Sequence, residues 1–402
     1  MKKDWEIKKL GDVCQIRPSK NETTKFLKDD DNVSFFPMED LQIMNYYIEP
    51  KQLKKLKEVS GSYTCFANGD VLLAKVTPCF ENGKLGIANN LENGVGFGSS
   101  EYIVFRPSNR LLCEYLYYSL ATPDFRENGK KHLLGACGLK RLSKDYVNEY
   151  KIPVPPLEEQ KRIVKILDEK FAQLETIKTN AQTNLQNAKD LFQSQLAKAF
   201  SNTTWEKKRL FEICQNIVDC PHTTPKKSVV PTDYPCIRTS ELKNGEIDWS
   251  TMQYLEKEEY LKRITRLEPK ENDIVYGREG TFGDAVLLPN THHFSLGQRT
   301  MLLRPNSDII NPKFLLKAII SPYVYKQALE KNNGCGVPHV NVADVKNFII
   351  PVPSAEIQKR IVKELDSLSE KVKVLCAIYE NQIADCEELK QSYLCKAFAG
   401  EL

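Results

Sequence analysis

The stretch "IPVPPLEEQKRIVKIL" (Ile152–Leu167) returns as "IPVPSAEIQKRIVKEL" (Ile350–Leu365), and nothing else in the chain repeats so closely. Each copy opens on prolines, which fix φ and restrain the residue before them, so an extended run is predicted there. Each then continues for more than forty residues without Pro or Gly. Apolar residues fall at three- and four-residue steps: Leu167, Phe171, Leu174, Ile177 and Ala181 in the first copy, Ile361, Leu365, Leu368, Val372 and Leu375 in the second. That spacing predicts two long amphipathic helices. Forty helical residues span about 60 Å, and a stripe of that length needs cover. The other copy, equal in length and stripe, supplies it. A chain ordered domain, helix, domain, helix closes with the helices antiparallel and a domain at each end, a pseudo-twofold arrangement.

Working outward, the whole chain proves to be one unit written twice, with a long period. "WEIKKLGDVC" (Trp5–Cys14) matches "WEKKRLFEIC" (Trp205–Cys214), and "GDVLLAK" (Gly69–Lys75) matches "NDIVYGR" (Asn272–Arg278). "YIVFRP" (Tyr102–Pro107) matches "TMLLRP" (Thr300–Pro305), and "QLAKAF" (Gln195–Phe200) matches "YLCKAF" (Tyr393–Phe398). Before each long helix, short β-rich runs broken by Gly, Asn and Pro predict a mixed α/β (α+β) globular domain. The expected division is 1–151 and 203–349 for the globular parts, 152–202 and 350–402 for the helical parts. "GVGFGSS" (Gly94–Ser100) reads as a turn between strands. The helical parts are alike while the globular parts have drifted, a design suited to reading two different things.

The 402 residues, 41% hydrophobic and 27% charged, suit a globular protein of more than one domain. A net charge of +4 permits a local nucleic-acid surface without announcing one. The twelve cysteines lack C-x-x-C spacing and read as reduced thiols in the core, not as a metal site. The start "MKKDWEIKKLGD" has no apolar run after its lysines and no stretch reaches eighteen apolar residues, so a cytoplasmic protein off the membrane is expected.

Catalytic constellations are missing. "NPKF" (Asn311–Phe314) resembles an adenine-methyltransferase loop, but Lys313 replaces its second proline and the stretch opens a predicted helix. There is no Walker loop and no Gly-rich strand–turn–helix. In "PDFRENGKK" (Pro123–Lys131) the carboxylate and lysine lack nuclease spacing, and the five histidines sit on turn-like stretches without a nucleophile. The expectation is no catalytic residue, no metal and no cofactor in this chain.

The positive case is for double-stranded DNA, whose phosphates take Lys, Arg and hydroxyls and whose base edges favour Arg, Asn and Gln. Two loops per globular part have that make-up. After the first strand come Lys75, Thr77, Asn82 and Lys84, and after its counterpart Arg278 and Thr281. "GACGLKRLS" from Gly135 supplies Lys140, Arg141 and Ser143; "GCGVPHVN" from Gly334 supplies His339 and Asn341. "CIRTSEL" adds Arg238, Thr239 and Ser240 to the second part alone.

At these residues the chain resembles the specificity subunits of Type I restriction–modification systems. The resemblance runs its whole length: W-E-x-K-x-L at each start, the G/N-D-[VI] strand, the R-P strand end, and I-P-V-P followed by a long helix ending in L-x-K-A-F. One departure is Glu356-Ile357 in place of Glu158-Glu159, read as a surface turn. The resemblance implies two target-recognition domains, each binding half of a split DNA site, and a coiled coil that sets their spacing. It implies two methyltransferase subunits docked on the helices and restriction subunits joining the complex. S-adenosylmethionine, ATP and Mg then belong to those partners. The alternatives are a stand-alone DNA-binding regulator and a self-contained restriction enzyme. Against the regulator, Ile163, Ile166, Ile361 and Val374 read as exposed or semi-exposed apolar surface that a two-helix seam leaves uncovered.

Overall fold

The computed structural model describes residues 5–135, 138–202, 204–280, 282–331 and 339–402. Two compact units divide the chain: Met1–Ala181 with Asn381–Leu402, and Gln182–Glu380. Each holds one globular head and a portion of both long helices.

In the first unit the run after Trp5 and the "KIPV" run find each other. Glu6–Lys9 pairs antiparallel with Lys151–Val154, so Pro153 of the repeated stretch sits in a two-stranded sheet where a missing N–H is tolerated. The main sheet has five strands in the order Cys14–Ile16, Tyr102–Pro107, Val71–Ala74, Leu85–Ala88, Asn45–Ile48. Successive residues of a strand face opposite ways. Val71, Leu73, Ile103 and Phe105 therefore enter one core, and Leu72, Ala74, Tyr102 and Val104 another. A sheet covered on both faces explains why "DVLLA" is apolar without alternation.

A second sheet orders Gln52–Lys55, Asn32–Phe36, Val95–Gly98 and Thr64–Ala67. Here the sequence reading is corrected: "VGFG" is a buried strand, parallel to Asn32–Phe36 and antiparallel to Thr64–Ala67, and only Ser99–Glu101 turns. Its glycines are there for close approach. A Cβ on Gly96 falls inside the Phe66 ring, and one on Gly98 meets the Phe36 carbonyl oxygen. Gly96→Ala is expected to destabilise this unit by about 1–3 kcal/mol, read as a lower urea midpoint.

The second unit repeats the plan on a smaller scale. Glu206–Arg209 pairs with Ile349–Val352, and the main sheet runs Cys214–Asp219, Thr300–Pro305, Ile274–Gly277, Ala285–Leu287. Ile274, Tyr276, Met301 and Leu303 enter one core; Val275, Val286 and Leu302 enter the other. Asn311 caps the helix Pro312–Ile319, its Oδ1 accepting from the Lys313 and Phe314 amides, so "NPKF" is a helix start as its letters predict.

Two buried polar devices recur in both units. Asp70 lies 1% exposed, with Arg106 donating through Nε and Nη2 at 2.8 and 2.7 Å, and Asp273 lies 2% exposed with Arg304 at the same two distances. The second device is the glutamine of the repeated stretch. Gln160 is fully buried; its Oε1 accepts from the Leu112 amide and its Nε2 donates to the Arg110 and Pro155 carbonyls. Gln358 does the same for Asn311, Ile309 and Pro353.

The long helices run Leu157–Ala199 and Ala355–Ala399. Within the first unit Glu175 meets Lys390 at 2.7 Å and Lys178 meets Glu387 at 2.5 Å, so the numbers rise on one helix as they fall on the other. That is the antiparallel pairing predicted. Within the second unit Phe192, Leu196, Ile361, Leu365 and Val372 share one core. Ile163 and Ile361 are corrected from exposed to buried, because they face the core of their own head instead of solvent. Ile357 likewise lies within the second long helix and packs against that core, not in a surface turn. Val374 is exposed, as read. Among the described residues no helix is long and apolar enough to cross a membrane.

Candidate nucleic-acid interface

In each unit the sheet delivers its loops to a single edge. In the first, Val71–Ala74 ends where Tyr102–Pro107 begins, since Tyr102 pairs with Ala74, and Cys14–Ile16 ends opposite Phe105 of the same strand. The Lys75 amide donates to the Glu101 carbonyl, and the Leu142 amide to the Lys75 carbonyl. Thr77 binds Lys140 twice, amide to carbonyl at 2.9 Å and Oγ1 from amide at 3.0 Å. The two loops chosen from sequence are thus one structure.

The second unit repeats this backbone scheme. The Arg278 amide donates to the Arg299 carbonyl, the Val340 amide to the Arg278 carbonyl, and Glu279 bridges His339. The Gly297 amide donates to the Ile237 carbonyl, which carries Arg238 and the short turn Thr239–Glu241 to the same edge. Thr281 lies outside the described residues. Ser143 and Asn341 occupy equivalent places, each immediately ahead of a short helix and neither bonded to its amides.

Side-chain availability separates the candidates. Lys75 donates to the Ser100 carbonyl at 2.7 Å and lies 3.7 Å from Glu101; burial holds its pKa below the ordinary lysine value against the pull of that carboxylate. Arg141 grips the same carboxylate with Nε and Nη2, and with Lys75 this keeps Glu101 below the usual carboxylate range. Lys84 is spent on the Met38 carbonyl at 3.0 Å. Arg278 is 8% exposed, bonded to Asp219 at 3.0 Å and to Glu279 at 2.8 Å. Arg238 holds the fully buried Glu241, to which Ser240 also donates. Arg278 and Arg238 therefore brace the edge from beneath. Asn82, Lys140, Arg141, Ser240 and Asn341 stand exposed on it.

Sequence reasoning missed Glu101, the carboxylate that organises the first edge, Arg17 beside Lys75 on that edge, and Arg299 beside Glu279 on the second. Glu101 lies next to the Y-x-V-F-R-P match and is answered by Arg299 one repeat later, a reversal of sign that alignment of the two halves exposes.

A family model for the Type I restriction modification DNA specificity domain matches this chain twice, over residues 2–185 and 202–380. The chain belongs to that family. The curated relatives it matches are named as specificity subunits of Type I restriction enzymes. It is 32% identical over 213 residues to the EcoAI specificity subunit of Escherichia coli, covering 53% of this chain but 35% of that relative. The aligned part of the EcoEI specificity subunit of Escherichia coli is 32% of its length, so this chain matches about a third of either protein. The MjaVIII specificity subunit of Methanocaldococcus jannaschii is 23% identical over 92% of this chain and 87% of its own. Among solved structures, a chain described under complex assembly and conformational transition of the type I R-M system superimposes with a TM-score of 0.81 at 19% identity, covering 100% and 99% of the two chains. The HsdS subunit from Thermoanaerobacter tengcongensis gives 0.62 at 19% identity, over 100% and 98%. At those identities the likeness is one of fold.

Proposed function

We propose that this chain reads a split site on double-stranded DNA for a Type I restriction–modification complex. One recognition domain, 1–151 or 203–349, serves each half-site, and the helical regions 152–202 and 350–402 set the gap. Two methyltransferase subunits and the restriction subunits dock on the chain, in the cytoplasm, and bring S-adenosylmethionine, ATP and Mg. The observation that carries this reading is the repeated sheet edge: its backbone scheme is the same in both units while the side chains on it differ. A frame held constant under changing contacts suits recognition of two different sequences. Docking is supported by Val374 and Ile378, 59% and 52% exposed one turn apart on the second long helix, more apolar surface than a solvated face needs.

The test is to co-express the chain with the methyltransferase subunit encoded beside it and sequence the methylated bases of the host DNA. Methylation at two short half-sites around a constant gap is expected. A partner that co-purifies yet methylates no split motif overturns the proposal.

A further inference from the structure

Backbone strain singles out two side chains on the recognition edges. Among the described residues seven besides glycine have positive φ: Arg17, Met44, Asn90, Asn93, Asn244, Asn272 and Arg299. Four are asparagine, the type that tolerates this region best. Met44 packs against the core of its unit. The two arginines have neither excuse. Arg17 at φ 60° and Arg299 at φ 70° are both exposed, and neither side chain is packed in a core. Strained backbone of this kind persists where the surroundings enforce it and is concentrated at functional positions.

Both lie on the edge already described. The Arg17 amide donates to the Val104 carbonyl, on the strand that follows Glu101, and Arg299 receives the Arg278 amide on its carbonyl. The guanidinium of Arg17 makes no ion pair among the described residues, and its charge opposes protonation of Lys75 beside it. Arg299 approaches Glu279 through Nε at 3.4 Å, and its side chain remains 54% exposed, which leaves its fork accessible. By contrast the arginines that brace the edge, Arg278 and Arg238, have their forks occupied. An exposed fork on a rigid sheet edge matches the two acceptors that guanine presents in the major groove.

We propose that Arg17 and Arg299 are specificity-determining residues, each reading base edges in the half-site of its own unit. This rests on the DNA-recognition reading above. Glycine adopts positive φ freely, so Arg17→Gly and Arg299→Gly remove the side chain while relieving the backbone. The full-length chain, co-expressed with its methyltransferase partner, is mixed with a pool of randomised duplexes and the bound fraction sequenced. R17G is expected to relax base preference in one half-site only and R299G in the other, each with a roughly tenfold loss of affinity for the wild-type motif. Thermal midpoints stay level or rise. R17K and R299K, which keep charge but lose the fork, are expected to leave the same half-sites relaxed. Retention of both half-site preferences in the glycine variants overturns the inference, as does a loss that is uniform across sequences, the mark of a phosphate contact. A wild-type complex that enriches no split motif overturns the DNA-recognition reading and this one with it.

Discussion

Asp273→Ala is expected to cost the second unit about 3–5 kcal/mol, because it strands a charge instead of merely deleting a contact. The carboxylate is 2% exposed, and Arg304 opposite it has a side chain only 17% exposed. Oδ2 also accepts the Lys270 amide at 2.9 Å, closing the turn ahead of the Ile274–Gly277 strand. Alanine leaves that amide unanswered and the guanidinium uncompensated beside the core. Hydrogen exchange should show the amides of Ile274–Gly277 and Thr300–Pro305 losing protection together. The control is D273A/R304M, in which the stranded charge is removed as well; part of the lost stability should return. If the double variant is no better than D273A, the pair does not act as a unit. Asp70→Ala should behave alike in the first unit, where the Ala67 amide plays the part of Lys270.

This pair illustrates what the sequence makes legible and what it hides. The matches "GDVLLAK"/"NDIVYGR" and "YIVFRP"/"TMLLRP" mark strands through apolar runs and turn residues, both local signals, and those strands are where they were expected. That the Asp of one motif meets the Arg of the other is a contact between distant segments, which no local period encodes. The same limit explains the misreadings. Periodicity places Ile361 on the apolar stripe but does not say what covers a face; the heads bury it and Ile163 alike. "GVGFG" carries turn-forming letters, but its glycines answer Phe66 and Phe36 on neighbouring strands. At the candidate edge, composition picked out loops that bond to each other in both halves yet could not rank their side chains. Arg278 and Lys140 look equally suited as letters, and only packing shows one tied beneath the edge and the other exposed on it.

Gln160→Leu should be nearly as costly as loss of the Asp273 pair, at about 3–5 kcal/mol, although it is close to volume-conserving and removes no charge. The side chain fills three backbone valences in a site with no access to water: the Leu112 amide at 2.9 Å and the Arg110 and Pro155 carbonyls, both at 2.8 Å. Leucine leaves all three orphaned at the junction where the head meets its long helix. Gln160→Glu discriminates this account from a mere packing effect, since a carboxylate accepts from the amide but faces two carbonyls with nothing to donate. The folded protein therefore favours the protonated acid, raising its pKa above the unfolded value of about 4.3. A group raised in the folded state contributes stability that is whole below the unfolded pKa and is lost as pH rises through the folded one. The urea midpoint of Q160E should accordingly approach wild type below about pH 4 and fall away from it toward neutrality. A deficit independent of pH would mean that the glutamine is held by shape. The predicted slope would mean that the letter repeated at Gln358 is there for its hydrogen bonds, and that the stretch is written twice because each head must be fastened to its helix in the same way.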